Sequence, residues 1–219
     1  MDRLLEKLDR KMIIDPGKHD VNNIYKLMTG IIVPRPIAFV TSMDPAGVLN
    51  LAPFSFFTAV SANPPVICFS PLIRGKDASK KDTLKNIEAT KEFVVNVVSE
   101  DFASRMNICS FDFPPEVDEF KESGLTPLAS DLVHPPRVKE SRVSMECTLV
   151  QIVHVSQRPL GGSIVLGEVV RFHVEDELFK DYRINPDVLR AIGRMGGPTY
   201  TRTTDRFEMP RPDSRDFKH

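Results

Sequence analysis

The sequence is short of cysteine, of unbalanced charge, of long apolar runs and of nucleotide-binding glycine motifs. Its three cysteines, Cys68, Cys109 and Cys147, are odd in number, widely spaced and free of any CxxC pair. That arrangement fits neither a disulfide framework nor a zinc knuckle. Lys and Arg total 29 against 30 Asp and Glu, a net charge of -1. Such balance leaves no electrostatic reason to expect nucleic acid or an anionic membrane as partner. No apolar run reaches the ~18 residues of a membrane span, and Met1 to Lys11 is a charged amphipathic stretch without a signal-type apolar core. A P-loop and a GxGxxG are both missing, so no dinucleotide fold is signalled. There is no GxSxG elbow, and the serines lack a local base, which sets nucleophilic catalysis aside. No pair of His, Cys or Asp has ligand spacing on one strand or helix, so no metal is expected.

What remains is an ordinary globular composition. Apolar residues make up 41% and charged residues 27% of 219, enough for one sizeable core and too apolar for bulk disorder. Internal repeats and interior linkers are absent, so residues 1–219 are expected to form a single domain in the cytoplasm.

Strand patterns dominate. Ile37 to Ser42 is a short apolar run closed by the turn residues Asp44-Pro45-Ala46-Gly47, and Val48 to Asn50 would begin its hairpin partner. Asn50-Leu51-Ala52-Pro53 is expected to bend the chain before a strand from Phe56 to Val60. Val66 to Phe69 and Phe93 to Val98 read as buried strands, and Val143 to Val155 and Ser163 to Val174 as two long ones. Between them Leu84 and Ile87 mark an amphipathic helix over Ser79 to Thr90, with Ser79 and Asp82 forming a loose capping box. A second helix is expected over Asp101 to Cys109 and a last one over Pro186 to Ile192. Six or seven strands with short helices predict a mainly β fold, a barrel with helical decorations.

The order of several fragments is more specific than any of them alone. Pro34-Arg35-Pro36-Ile37-Ala38-Phe39-Val40-Thr41-Ser42, Asn50-Leu51-Ala52-Pro53-Phe54-Ser55-Phe56-Phe57 and Asn63-Pro64-Pro65-Val66-Ile67-Cys68-Phe69-Ser70-Pro71 come in turn. Lys81-Asp82-Thr83-Leu84 and Phe93-Val94-Val95-Asn96-Val97 follow, then Gly167-Glu168-Val169 with His173, and Ile192-Gly193-Arg194-Met195-Gly196-Gly197 with Tyr200. In this the chain resembles the flavin reductase-like family of FMN-binding split barrels, over about residues 20 to 205.

The resemblance implies a six-stranded Greek-key split barrel with short peripheral helices, working as a homodimer with FMN, rather than FAD, near the subunit interface. It implies NAD(P)H as co-substrate, and an oxygenase or other electron acceptor as partner; the alternative is an FMN-binding electron carrier without NAD(P)H oxidase activity. It places Thr41, Ser42, Asn50, Ala52, Pro53, Phe54, Ser55 and Phe56 around the flavin. Read as residues alone, the Asn50 to Ser55 segment offers N–H groups, an amide and a hydroxyl to a ring edge, or is a β-bulge with a polar cap. Lys81, Asp82 and Thr83 open a helix whose start can take a phosphate, or is merely solvated. Ser70 would be a second phosphate or ribityl donor, and Arg35 a phosphate ligand or a surface ion pair. In relatives a histidine at the place of His173 lies near the flavin and the nicotinamide; otherwise it is a satisfied barrel histidine. The arm Ile192 to Tyr200 has few apolar residues and packs at the subunit interface in relatives.

Overall fold

The computed structural model describes residues 11–213. The charged stretch over residues 1–10 and the end of the charged tail, residues 214–219, lie outside the described residues. Helix α1 (Val21–Ile31) comes first, capped by the Asp20 carboxylate, which accepts the Asn22 N–H at 2.8 Å. Strands β1 (Ala38–Met43), β2 (Leu49–Phe54), β3 (Phe57–Ala62) and β4 (Pro65–Phe69) follow, then α2 (Asp82–Thr90) and β5 (Glu92–Val97). Helices α3 (Ala103–Ile108) and α4 (Glu119–Ser123) lead to the two-residue strands β6 (Pro127–Leu128) and β7 (Arg137–Val138). The long strands β8 (Val143–His154) and β9 (Ser163–Val174) come next, followed by the small pair β10 (Phe179–Lys180) and β11 (Arg183–Ile184). Helix α5 (Pro186–Leu189) and the pair β12 (Ile192–Arg194) and β13 (Tyr200–Arg202) end the chain.

Seven strands form one antiparallel sheet in the order β2-β1-β5-β8-β9-β4-β3. Its edge strands, β2 and β3, are consecutive in the chain and separated only by Ser55 and Phe56. Laid flat at about 4.8 Å per strand, the two edges would stand roughly 29 Å apart. Two intervening residues hold the flanking Cα atoms within about 11 Å. The sheet therefore has to curl until its edges meet, which makes it a barrel split between β2 and β3.

Strand β1 is dry on both faces. Ala38 and Val40 point into the barrel core with Phe54, Phe69, Leu84, Ile87, Phe93, Cys147 and Val165. Ile37 and Phe39 point the other way, into a second core with Leu51, Phe102, Met106, Phe120 and Ile192. Each fully buried Val, Leu, Ile, Met or Phe among them contributes about 1.5–3 kcal/mol.

Several local expectations are corrected. The main sheet has seven strands, as the strand patterns allowed and one more than the resemblance implied. Asn50 to Phe54 is strand rather than bend, and the turn falls at Ser55–Phe56. Pro53 is tolerated because β2 pairs on one side only, with β1, and needs no further N–H at its open edge. The Ser79 hydroxyl bonds Asp77 at 2.7 Å instead of capping α2, which starts at Asp82 with Lys81 as an N-cap residue lacking any side-chain cap bond. The last helix is only Pro186–Leu189, and Ile192 opens a strand instead. The C-terminal arm folds back on its own domain: β12 and β13 pair, and Ile192 and Tyr200 pack in the second core.

Candidate functional site

The split between β2 and β3 holds a cleft of about 220 Å³. One wall is the open edge of β2 and the turn after it, through Asn50, Ala52, Pro53, Phe54, Ser55 and Phe56. The opposite side comes from Ser70 after β4, Arg74, the start of α2 and the loop through Ser110 to Phe113. Tyr25 of α1 and Glu119 of α4 complete it.

Asn50 ties edge strand to helix, its Nδ2 standing 2.7 Å from Thr83 Oγ1 and 3.3 Å from Ser42 Oγ. The wall is apolar where Phe54 packs on Phe69 with ring centroids 5.1 Å apart. Across the cleft Phe111 and Phe113 meet edge to face at 5.0 Å.

The α2 end is cationic. Arg74 donates to Asp82 Oδ2 at 2.7 Å and to the Lys80 carbonyl at 2.6 Å, and lies 3.6 Å from Asp112 Oδ1. Lys81 pairs with the same Asp112 oxygen. Burial pushes the Asp82 carboxyl up, but its bonds from Lys85 and Arg74 outweigh that and hold it below the usual range. Arg74, Lys81 and Lys85 pair with Asp82 and Asp112, with Asp77 acting on Arg74 from farther off, and the Asp82 and Thr83 N–H groups have no acceptor among the described residues. Unpaired N–H groups at a helix start beside cationic side chains suit an anion. At the β2 edge the Glu119 carboxylate accepts the Leu51 N–H at 3.2 Å; burial pushes Glu119 above its ordinary value despite that bond.

Of the residues named from sequence, Asn50, Ala52, Pro53, Phe54, Ser55, Phe56, Ser70, Lys81, Asp82 and Thr83 converge on this cleft. Four do not line it. Thr41 and Ser42 are fully buried in β1, where Asn96 donates to Thr41 at 3.1 Å and Asn86 to Ser42 at 3.2 Å. Arg35 is 5% exposed and binds the carbonyls of Thr29, Ile32 and Met195 at 2.5, 2.7 and 3.0 Å, with Nε donating to Ser55 Oγ at 3.3 Å. His173 sits on β9, its Nε2 2.5 Å from the buried Glu146 carboxylate.

Sequence reasoning missed Tyr25, Arg74, Asp112 and Glu119. Tyr25 had a readable signal: Asp20 is a good N-cap before Val21, Ile24, Tyr25, Met28 and Ile31 at helical spacing. Arg74 and Asp112 stand in loops with no period to mark them.

An aromatic-walled cleft with a cationic helix start at one end suits a flat ring that carries an anionic group. Residues 29–190 match the family described as flavin reductase like domain, and the chain belongs to that family. Membership implies a flavin as cofactor or substrate and an oxidoreductase. The structure is similar to nitrilotriacetate monooxygenase component B from Bacillus cereus, with TM-score 0.87 and 36% identity over 92% of this chain and 100% of that one. It is also similar to 2-nitrobenzoate 2-nitroreductase NbaA of Pseudomonas fluorescens, with TM-score 0.83 and 35% identity over 93% of this chain and 98% of that one. A split barrel domain protein from Shewanella frigidimarina NCIMB 400 shares the fold, with TM-score 0.79 at 22% identity over 92% of this chain and 100% of that one. Among the described residues no helix is long and apolar enough to cross a membrane.

Proposed function

We propose that this chain is an FMN-dependent NAD(P)H:flavin oxidoreductase of the cytoplasm, passing its reducing equivalents to an oxygenase or another acceptor. The observation that carries the reading is the cleft itself, an aromatic wall that leads to an anion seat at the start of α2. The residues present fit FMN: the unbonded Asp82 and Thr83 N–H groups, Lys81, Arg74 and Ser70 would hold its phosphate. Phe54, Phe56 and Pro53 would lie along its ring and keep water away from it. When bound, the flavin supplies the two-electron chemistry, accepting a hydride from the nicotinamide.

The chain's own part is binding and orientation. Ser55 Oγ accepts the Arg35 Nε–H, so its own proton is left to donate into the cleft. Hydride transfer needs no protein acid or base, and we assign His173 to holding Glu146. The oxygenase acceptor follows the likeness to a monooxygenase component B.

Two features support a homodimer. The cleft, at about 220 Å³, is smaller than the roughly 300–1,000 Å³ of complete ligand sites and stands open, so a second copy would supply its missing wall. Helix α1 buries only Thr29 and leaves Val21, Leu27, Met28 and Ile31 exposed, and Val150, Val153 and Phe172 on β8 and β9 are exposed as well.

The test is the visible spectrum of the purified, FMN-loaded protein before and after NADH or NADPH under argon, with light scattering alongside. Bleaching of a bound flavin in a dimer is expected. A protein that ignores FMN overturns the reading. Bound flavin that neither NADH nor NADPH reduces leaves the electron carrier in its place.

A further inference from the structure

The flavin cleft does not end at Ser55. A second groove of about 220 Å³ opens beside it, sharing Tyr25, Pro53, Ser55 and Ser110 and adding Asn107, Arg194 and Tyr200. Its floor is set by the C-terminal arm, which the backbone bonds between Arg35 and Arg194, at 3.0 and 2.8 Å, hold against the barrel. The Arg194 guanidinium lies over the Tyr200 ring, 4.5 Å from its centroid. The Tyr200 hydroxyl donates to Asn107 at 3.1 Å, which fixes the ring and with it the cation.

This charge is uncompensated. Among the described residues no carboxylate pairs with Arg194, and its side chain contacts the Tyr200 ring. The nearby Arg35 is bonded to neutral oxygens only. Burial makes the Arg35 cation harder to hold; Tyr25 works against this, and the charge of Arg194 adds a smaller effect in the same direction as burial. Two guanidiniums without a carboxylate, one of them buried, leave a positive potential that an anion would relieve. The flavin phosphate is not that anion, because its seat is at α2 on another side of the cleft.

We infer that Arg194, stacked on Tyr200, binds a phosphate of the nicotinamide co-substrate in this side groove and so selects phosphate-bearing hydride donors. The inference rests on the oxidoreductase reading above, which makes a nicotinamide nucleotide the one obligatory anionic co-substrate; acceptors need carry no charge. The groove joins the flavin cleft at Ser55 and Pro53. A nicotinamide lying on the flavin would have its phosphates led out through it. Arg194 is therefore a binding and specificity residue, with no part in the hydride step itself.

The test compares the FMN-loaded parent with Arg194→Gln and Arg194→Lys, using NADH and a phosphate-free N-benzyl dihydronicotinamide as donors. For Arg194→Gln, loss of a charge-assisted bond should raise KM for NADH roughly 10- to 100-fold, with kcat nearly unchanged. The preference for NADH over the phosphate-free donor should fall by the same factor, and Arg194→Lys should recover part of it. The Kd for FMN should stay at the parent value and the oligomeric state should not change. Equal losses with both donors, an unchanged preference, weaker FMN binding or a dissociated oligomer in Arg194→Gln would each overturn the assignment. A parent that binds FMN yet oxidises neither donor overturns the oxidoreductase reading instead, a result seen before any variant is made.

Discussion

Lys81 and Asp112, far apart in sequence, form an ion pair at the mouth of the cleft between β2 and β3. Asp112 is half exposed and Lys81 less so, which makes the carboxylate a displaceable stand-in where a phosphate would bind. Lys81→Ala is expected to weaken FMN binding roughly 10- to 150-fold, from about 1.5–3 kcal/mol for a charge-assisted bond, and to leave riboflavin nearly unaffected. Asp112→Asn should do the opposite and tighten FMN, since the cation no longer has to leave a partner. Paired titrations of both flavins on both variants decide it; equal changes for FMN and riboflavin would remove Lys81 from the phosphate.

Gly167 on β9 faces Phe93, and a Cβ there would stand 2.2 Å from Phe93 Cζ. Phe93 is fully buried in the barrel core and has nowhere to retreat. Gly167→Ala should cost about 1–3 kcal/mol by overpacking. Pairing it with Phe93→Leu should restore part of that loss. Urea unfolding midpoints of the three variants test the contact, and additive losses in the double variant would contradict it.

Glu146 is fully buried and collects the N–H groups of Asp131, Leu132 and Val133 at 2.8, 2.7 and 3.1 Å, besides His173. Burial pushes its carboxyl up, but these bonds outweigh burial and hold it below the ordinary 4.5. A depressed carboxyl stabilises the fold fully above its unfolded value and loses that contribution as pH falls through the folded one. Acid should thus unfold the parent progressively below pH ~4.5. Glu146→Ala, which frees the loop's N–H groups, should lose about 3–5 kcal/mol at pH 7 and flatten that acid dependence. Chemical denaturation at pH 7 and pH 4 reads both effects.

The three thiols should be inert in the native protein. Burial pushes Cys109 up to about 11, and Cys147 rises further for the same reason, helped by the Glu146 charge. Burial also raises Cys68, against a smaller opposing bond from Thr58. At pH 8 a thiol reagent should label none of them within minutes and all three after unfolding. Rapid native labelling of Cys109 or Cys147 would show that the second core or the barrel opens there.

Some of this architecture was legible beforehand for plain reasons. β5 holds the apolar run Phe93-Val94-Val95, β9 is rich in valine with an alternating buried face, and α2 carries Leu84 and Ile87 on one face, so each element announces itself locally. The bend expected at Asn50 to Pro53 was misplaced because proline usually ends a strand. Only the position of β2 at the sheet edge excuses it, and that is a property of the whole sheet. Arg35 likewise reads as a ligand beside two prolines, yet three carbonyls from α1, its following loop and the C-terminal arm consume its donors.

By itself, then, the sequence determined most strands of the main sheet and the family to which the order of its fragments points. These follow from side-chain periodicity and residue type, which act over a few neighbours. The tertiary structure decided where the cleft lies and who reaches it. Tyr25, Arg74, Asp112 and Glu119 meet Asn50 and Ser55 only because the sheet curls until β2 faces β3. That closure is set by long-range pairing and burial, for which no single stretch of chain carries a signal.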